Sequence, residues 1–156
     1  MTDEREPMAP CSAPECREFD FWLGSWEVTS PDGQLVGHNR ITRTVQGCGL
    51  REQWRGVRGL RGTSLNAWSP ARGAWHQTWI DSSGTVLLLD GGLRDGTMVL
   101  EGRVPSPDAP EGELRHRINW LRIDGDPDRV RQLWETSADG VTWEIAFDGR
   151  YRRMGG

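Results

Sequence analysis

Glu52 and His116 are the two residues of this chain whose types and spacing could move a proton from inside a folded core. A carboxylate and an imidazole are ordinary partners in general acid–base chemistry. Each sits on the more apolar side of an alternating segment, where successive side chains point to opposite faces of a strand. Leu50, Glu52 and Trp54 oppose Arg51, Gln53 and Arg55, while Leu114, His116, Ile118 and Trp120 share one side of a later run. The same parity groups Asn39 and Arg43 with Leu35, Gly37, Ile41 and Val45. It sets Gln77 between Trp75 and Trp79, Gln132 between Val130 and Trp134, and Ile145 between Trp143 and Phe147. Tyr151, the only tyrosine, shares parity with Phe147 and is expected as a core or closing residue.

Isolated polar groups among tryptophans describe the wall of a small-molecule pocket, since a core built only for stability excludes unpaired polar atoms. The expected ligand-contacting residues are Asn39, Arg43, Glu52, Trp54, Gln77, Trp79, His116, Trp120, Gln132 and Trp134. The competing arrangement is a packed core in which these groups satisfy one another or buried water. A turn at Gly47-Cys48 with Val45 facing Leu50 would place Arg43 opposite Glu52. That pair would keep Glu52 ionised with a lowered pKa, an anchor in place of a general acid.

His38 and His76 fall on outward faces, which leaves His116 as the inward histidine. It is expected to be a hydrogen-bonded core residue, a substrate contact or proton donor, or the axial ligand of a haem. Three functions follow. The first is an intracellular binding protein for a small hydrophobic or aromatic, partly polar ligand. The second is an isomerase, cyclase or hydrolase using Glu52 and His116 as candidate catalytic groups. The third is a haem-binding barrel with His116 as axial ligand. No other cofactor and no metal site is expected, and a packed barrel acting through its surface is the plainest alternative. No GxSxG, HExxH, P-loop or dinucleotide fingerprint occurs. The glycines at 56, 59 and 62 join two strands, so no helix N-terminus follows them to hold phosphate.

The elements that must position these residues are short. Alternating segments at 25–30, 34–46, 49–56, 62–69, 74–81, 84–90, 96–104, 113–123, 129–137 and 142–152 predict about ten strands. Turn signals such as Pro31-Asp32-Gly33, Asp95-Gly96, Asp124-Gly125 and Asp139-Gly140 separate them. The pattern predicts an all-β chain: a single up-and-down antiparallel β-barrel over residues 18–153, after a flexible N-terminal lead at 1–17. Ser12-Ala13-Pro14-Glu15 reads as a capping box, and Phe19, Trp22 and Leu23 recur at helical spacing. A short N-terminal helix closing one end of the barrel is therefore expected.

Composition narrows the partners. The 156 residues suit one domain, and a net charge of −4 provides no basic field for nucleic acid. All 19 basic residues are arginine, which excludes a Schiff-base or Walker lysine. The acidic opening and the lack of a long apolar run predict no signal peptide, no membrane partner and a cytoplasmic protein, with Cys11, Cys16 and Cys48 as reduced thiols.

The stretch Phe19-Asp20-Phe21-Trp22-Leu23-Gly24-Ser25-Trp26-Glu27-Val28 resembles the opening signature of a family of bacterial single-domain proteins of unknown function. Similar echoes are Asn39-Arg40-Ile41, Gly47-Cys48-Gly49-Leu50-Arg51-Glu52, Trp75-His76-Gln77-Thr78-Trp79-Ile80-Asp81 and Phe147-Asp148-Gly149-Arg150-Tyr151. Its Gly-x-Trp start resembles that of lipocalin and other calycin barrels, which implies a fold that holds small hydrophobic ligands.

Overall fold

Ten strands carry the alternation: β1 Gly24–Thr29, β2 Leu35–Thr44, β3 Gly49–Gly56, β4 Arg61–Ser69, β5 Ala74–Asp81, β6 Val86–Arg94, β7 Thr97–Pro105, β8 Glu113–Ile123, β9 Asp126–Ser137 and β10 Glu144–Arg153. The structure, a computed structural model, describes residues 11–155. Each strand pairs antiparallel with its sequence neighbour, and β1 pairs with β10 through Val28↔Tyr151 and Trp26↔Arg153. The sheet is thereby a closed barrel in which each of the ten described strands has two neighbours. Local chemistry explains the tight turns. Asp95 and Gly96 both take left-handed backbone angles (φ 50° and 82°), as a two-residue turn between twisted strands requires.

The entry segment differs in detail from the expected helix. It consists of two 3-10 turns, Pro14–Arg17 and Asp20–Trp22, interrupted at Phe19 (φ −103°, ψ 8°). The Ser12 capping box does not form, because Ala13 occupies the cap position and offers no side-chain acceptor. The function expected of the segment is nevertheless met. Phe19 stacks on Trp22 at 4.7 Å between ring centroids and meets Trp120 and Trp75 edge-on at 5.0 and 5.6 Å. Trp26 donates its indole N–H to the Trp22 carbonyl at 2.8 Å, and Arg153 lies over the Trp26 ring. These rings form a closely packed floor.

Cys11 and Cys48 are joined in a disulfide, and Cys16 is a buried free thiol. The expectation of three reduced thiols is overturned at two of them. The bridge ties the entry segment to the loop between β2 and β3, beneath the floor. The expected flexible lead falls partly at 1–10, outside the described residues; its remainder is held by this bridge. Among the described residues, no helix is long and apolar enough to cross a membrane.

Above the floor the inward side chains mix apolar and polar groups. Ile41, Leu50 and Val130 bury apolar side chains in the lumen, and Asn39, Glu52, Gln77 and Gln132 are buried polar groups among them. The aromatic residues Trp54, Trp79, Trp134 and Phe147 occupy the far end. The face expected to carry Trp143, Ile145 and Phe147 departs from strict parity, and Val45, just past the end of β2, is also exposed. A bulge between Ile145 and Phe147 turns Ile145 outward, where it is exposed, and Trp143 stacks beneath the Arg117 guanidinium outside the barrel.

Candidate functional site

Glu52 stands at the centre of a polar chain that crosses the lumen from strand to strand. The register places Ser64 of β4 directly opposite it and Gln77 of β5 opposite Asn66. Gln77 donates to Asn66 Oδ1 at 2.7 Å, Asn66 to Ser64 Oγ at 2.9 Å, and Ser64 to Glu52 Oε1 at 2.8 Å. On the other side Asn39 Nδ2 donates to Glu52 Oε2 at 2.6 Å and to Tyr151 Oη at 2.8 Å. Tyr151 in turn donates to Gln132 Oε1 at 2.5 Å. Six strands thus contribute one side chain or two to a single chain of hydrogen bonds, and all seven of its members are buried.

Every partner of the Glu52 carboxylate is neutral. Burial pushes its pKa up to about 7, against the opposing effect of the Asn39 and Ser64 hydrogen bonds. The expected arginine is elsewhere. The β2–β3 connection holds Val45 and Gln46 in left-handed conformations (φ 51° and 52°), so the pairing runs Thr44↔Gly49, Arg43↔Leu50 and Ile41↔Glu52. Arg43 therefore sits one level too low, 39% exposed, and bonds Asp20 at 2.6 Å. It is not a lumen residue, and the lowered pKa expected for Glu52 is reversed.

Beyond Glu52 the lumen opens into a cavity of about 130 Å³. Trp54, Trp79, Trp134 and Phe147 wall it, with Leu87 and Ile118 between them. Glu52, Gln132 and Tyr151 form its base, and Leu60 and Asp81 its mouth. Glycines make room for the large rings. A Cβ on Gly62 would collide with the Trp79 ring, and one on Gly37 would lie 2.5 Å from Trp54. Trp54 meets Phe147 edge-on at 5.8 Å, and Trp79 donates its indole N–H to Asp81 at 3.0 Å. Burial alone would raise the Asp81 carboxyl. Hydrogen bonds from Ser83, the Trp79 indole and the Ser83 and Thr85 amides outweigh it and hold the group below its ordinary value.

Of the ten residues expected from sequence, Glu52, Trp54, Trp79, Gln132 and Trp134 line the cavity directly. Asn39 and Gln77 belong to the hydrogen-bonded chain behind Glu52. Trp120 belongs to the floor. His116 does face inward, but it is not part of the cavity wall. It lies beside Trp134, whose indole N–H bonds its Nδ1 at 3.0 Å, and burial lowers its pKa, so it is a neutral ring protonated at Nε2. The haem reading meets two obstacles here: His116 does not reach the cavity, and the cavity is too small for a porphyrin. These residues do not fit that group. His38 and His76 lie on outer faces, with His76 bonded to Asp90 and Thr78.

Sequence parity missed the part played by Tyr151, expected only as a core or closing residue. The register Val28↔Tyr151 brings it from the far end of the chain to Asn39. Burial raises its pKa well above the ordinary phenol value, and the Glu52 charge adds to that. Ser64 and Asn66 were also missed. Their strand, Arg61–Ser69, buries polar side chains at both positions, so hydrophobic alternation carried no signal there.

No known family model matches this chain, and none of the curated proteins is significantly similar to it. The closed barrel and its buried aromatic cluster therefore stand on geometry alone.

Proposed function

We propose that this barrel binds a small molecule with a hydrophobic or aromatic body and a polar handle, held in the tryptophan-walled end of its lumen. The observation that carries this reading is the cavity of about 130 Å³, apolar on its sides and polar at its base. A dry cavity of roughly 150 Å³ is enough for a benzene-sized ring, so the ligand, or the part of it that enters, is about one ring in size. Stacking area would come from Trp54, Trp79 and Trp134, and orientation from Glu52 and Gln132. Native mass spectrometry of the protein from its own host should show a co-purified small mass. Tryptophan emission should change on adding that molecule. A clean apoprotein together with unchanged emission across a broad panel of ring-sized metabolites would sink the reading.

A second reading is supported by the chemistry of Glu52 alone. A carboxylic acid on a cavity wall with a pKa of about 7 is matched to proton transfer at neutral pH. As an isomerase, cyclase or hydrolase the protein would use Glu52 as its acid or base, without His116. Glu52→Gln should then abolish turnover of the co-purified molecule while His116→Asn leaves it in place.

A further inference from the structure

The charge of the cavity is one-sided. Among the described residues its wall carries two carboxylates, Glu52 at the base and Asp81 at the mouth, and no arginine or histidine. In a chain with 19 arginines that is an informative absence from one wall. Arg43, placed by parity to neutralise Glu52, is held at the opposite end by Asp20. Each Glu52 oxygen accepts a hydrogen bond from a neutral side chain and retains acceptor capacity. Around that carboxylate stand Trp54, Trp79, Trp134, Phe147 and Tyr151, whose ring faces carry the negative end of the aromatic quadrupole.

We propose that the ligand of this lumen is an organic cation, a protonated amine or compact ammonium group, seated among the tryptophans with Glu52 as its buried counter-ion and Asp81 at its entrance. The proposal rests on the reading of the barrel as a small-molecule container and gives that ligand its chemical class. An anion would meet two like charges with, among the described residues, no cationic side chain on the wall to offset them. A neutral ring would gain the same stacking and leave the buried carboxylate without a counter-ion. A cation satisfies both the rings and the carboxylate, as in aromatic cages that recognise ammonium groups.

The titratable surroundings of Glu52 are simple. From β10 comes Tyr151, kept protonated by burial; from β5, Asp81, held below its ordinary pKa; from β8, His116, off the cavity wall and neutral. The neighbouring β2, β4 and β9 contribute the neutral Asn39, Ser64 and Gln132. A pH response of binding near neutrality therefore belongs to Glu52.

The test uses three ring-sized probes of matched shape, benzylamine, benzyl alcohol and benzoate, titrated calorimetrically into the full chain at pH 8 and pH 6. Benzylamine should bind at least tenfold more tightly than benzyl alcohol at pH 8, and benzoate least. With Glu52 titrating near 7, benzylamine affinity should fall roughly tenfold from pH 8 to pH 6 as the carboxylate is protonated. Glu52→Gln should bring the benzylamine to benzyl alcohol affinity ratio close to one. Benzyl alcohol or benzoate binding as tightly as benzylamine, or benzylamine affinity flat or rising toward pH 6, would overturn the cation assignment and leave the container standing. No heat with any of the three at millimolar concentration would overturn both. The pH series uses the unaltered chain, so it decides the assignment whether or not the variant folds.

Discussion

At the scale of single residues, Glu52 is where structure and chemistry meet most sharply. An isolated carboxylate buried among tryptophans disfavours its own charge, and two neutral donors offset only part of that cost. Because its folded pKa lies above the unfolded value, the folded state holds the extra proton between about 4.5 and 7. Stability should therefore be greatest below that window and fall as pH rises through it, by up to about 3 kcal/mol if Glu52 acts alone. Glu52→Gln keeps the shape and one acceptor oxygen for the neighbouring donors while removing the charge. Urea denaturation at pH 5 and pH 8 should show a decline for the unaltered protein that is largely missing in the variant, which should be the more stable at pH 8. An equal decline in both would mean that another group titrates.

At the scale of elements, two features position the site. The first is the pairing of Gly62 with Trp54 across β3 and β4, which leaves open the space that the Trp79 ring fills. Gly62 has no positive φ, so its role is spatial, the close approach that a glycine inside a strand often marks. Gly62→Ala should displace the Trp79 indole, costing about 1–3 kcal/mol of stability as an overpacking change. The variant should also lose the ligand-dependent emission change; an emission spectrum identical to that of the unaltered protein would contradict this. The second is the Cys11–Cys48 bridge, spanning 37 residues of chain between the entry segment and the β2–β3 loop. Loop-closure entropy for that span amounts to roughly 4 kcal/mol. Cys48→Ala should lower the unfolding free energy by about 2–4 kcal/mol. A reducing agent should lower the midpoint of the unaltered protein but not of the variant. Disulfides of this kind persist in oxidising surroundings.

At the scale of the whole molecule, the barrel divides seven of its nine tryptophans between two duties. Trp22, Trp26, Trp75 and Trp120 are fully buried in the floor, whereas Trp54, Trp79 and Trp134 wall the cavity. Removing a floor ring leaves a void in a rigid cluster, so Trp22→Ala should cost about 3–5 kcal/mol. Trp79 is partly exposed and bonded at the mouth to Asp81, so Trp79→Ala should cost distinctly less while removing ligand response. Denaturation and emission titration of both variants would check the division. Equal destabilisation by the two would show that the upper end is part of the packed core.

Much of this was legible in the sequence because alternation is a local property. Period-two runs placed nearly every strand, and parity correctly sent Glu52, Gln77, Gln132 and His116 inward. The aromatic opening, with its Gly-x-Trp, marked the closed end that Phe19, Trp22 and Trp26 form. Parity reports a face, however, and not a height. Whether Arg43 or Ile41 stands opposite Glu52 depends on how many residues the intervening loop absorbs, and two left-handed residues there shifted the pairing. The bulge near Ile145 reversed a face in the same way. Tyr151 reached Asn39 only because β1 and β10 close the barrel, a contact between residues 112 positions apart that no local pattern encodes. The sequence by itself determined the container, its floor and the inward carboxylate. Register and closure, which are properties of the completed sheet, decided that among the described residues this carboxylate has no cation beside it and that the cavity above it is acidic and aromatic.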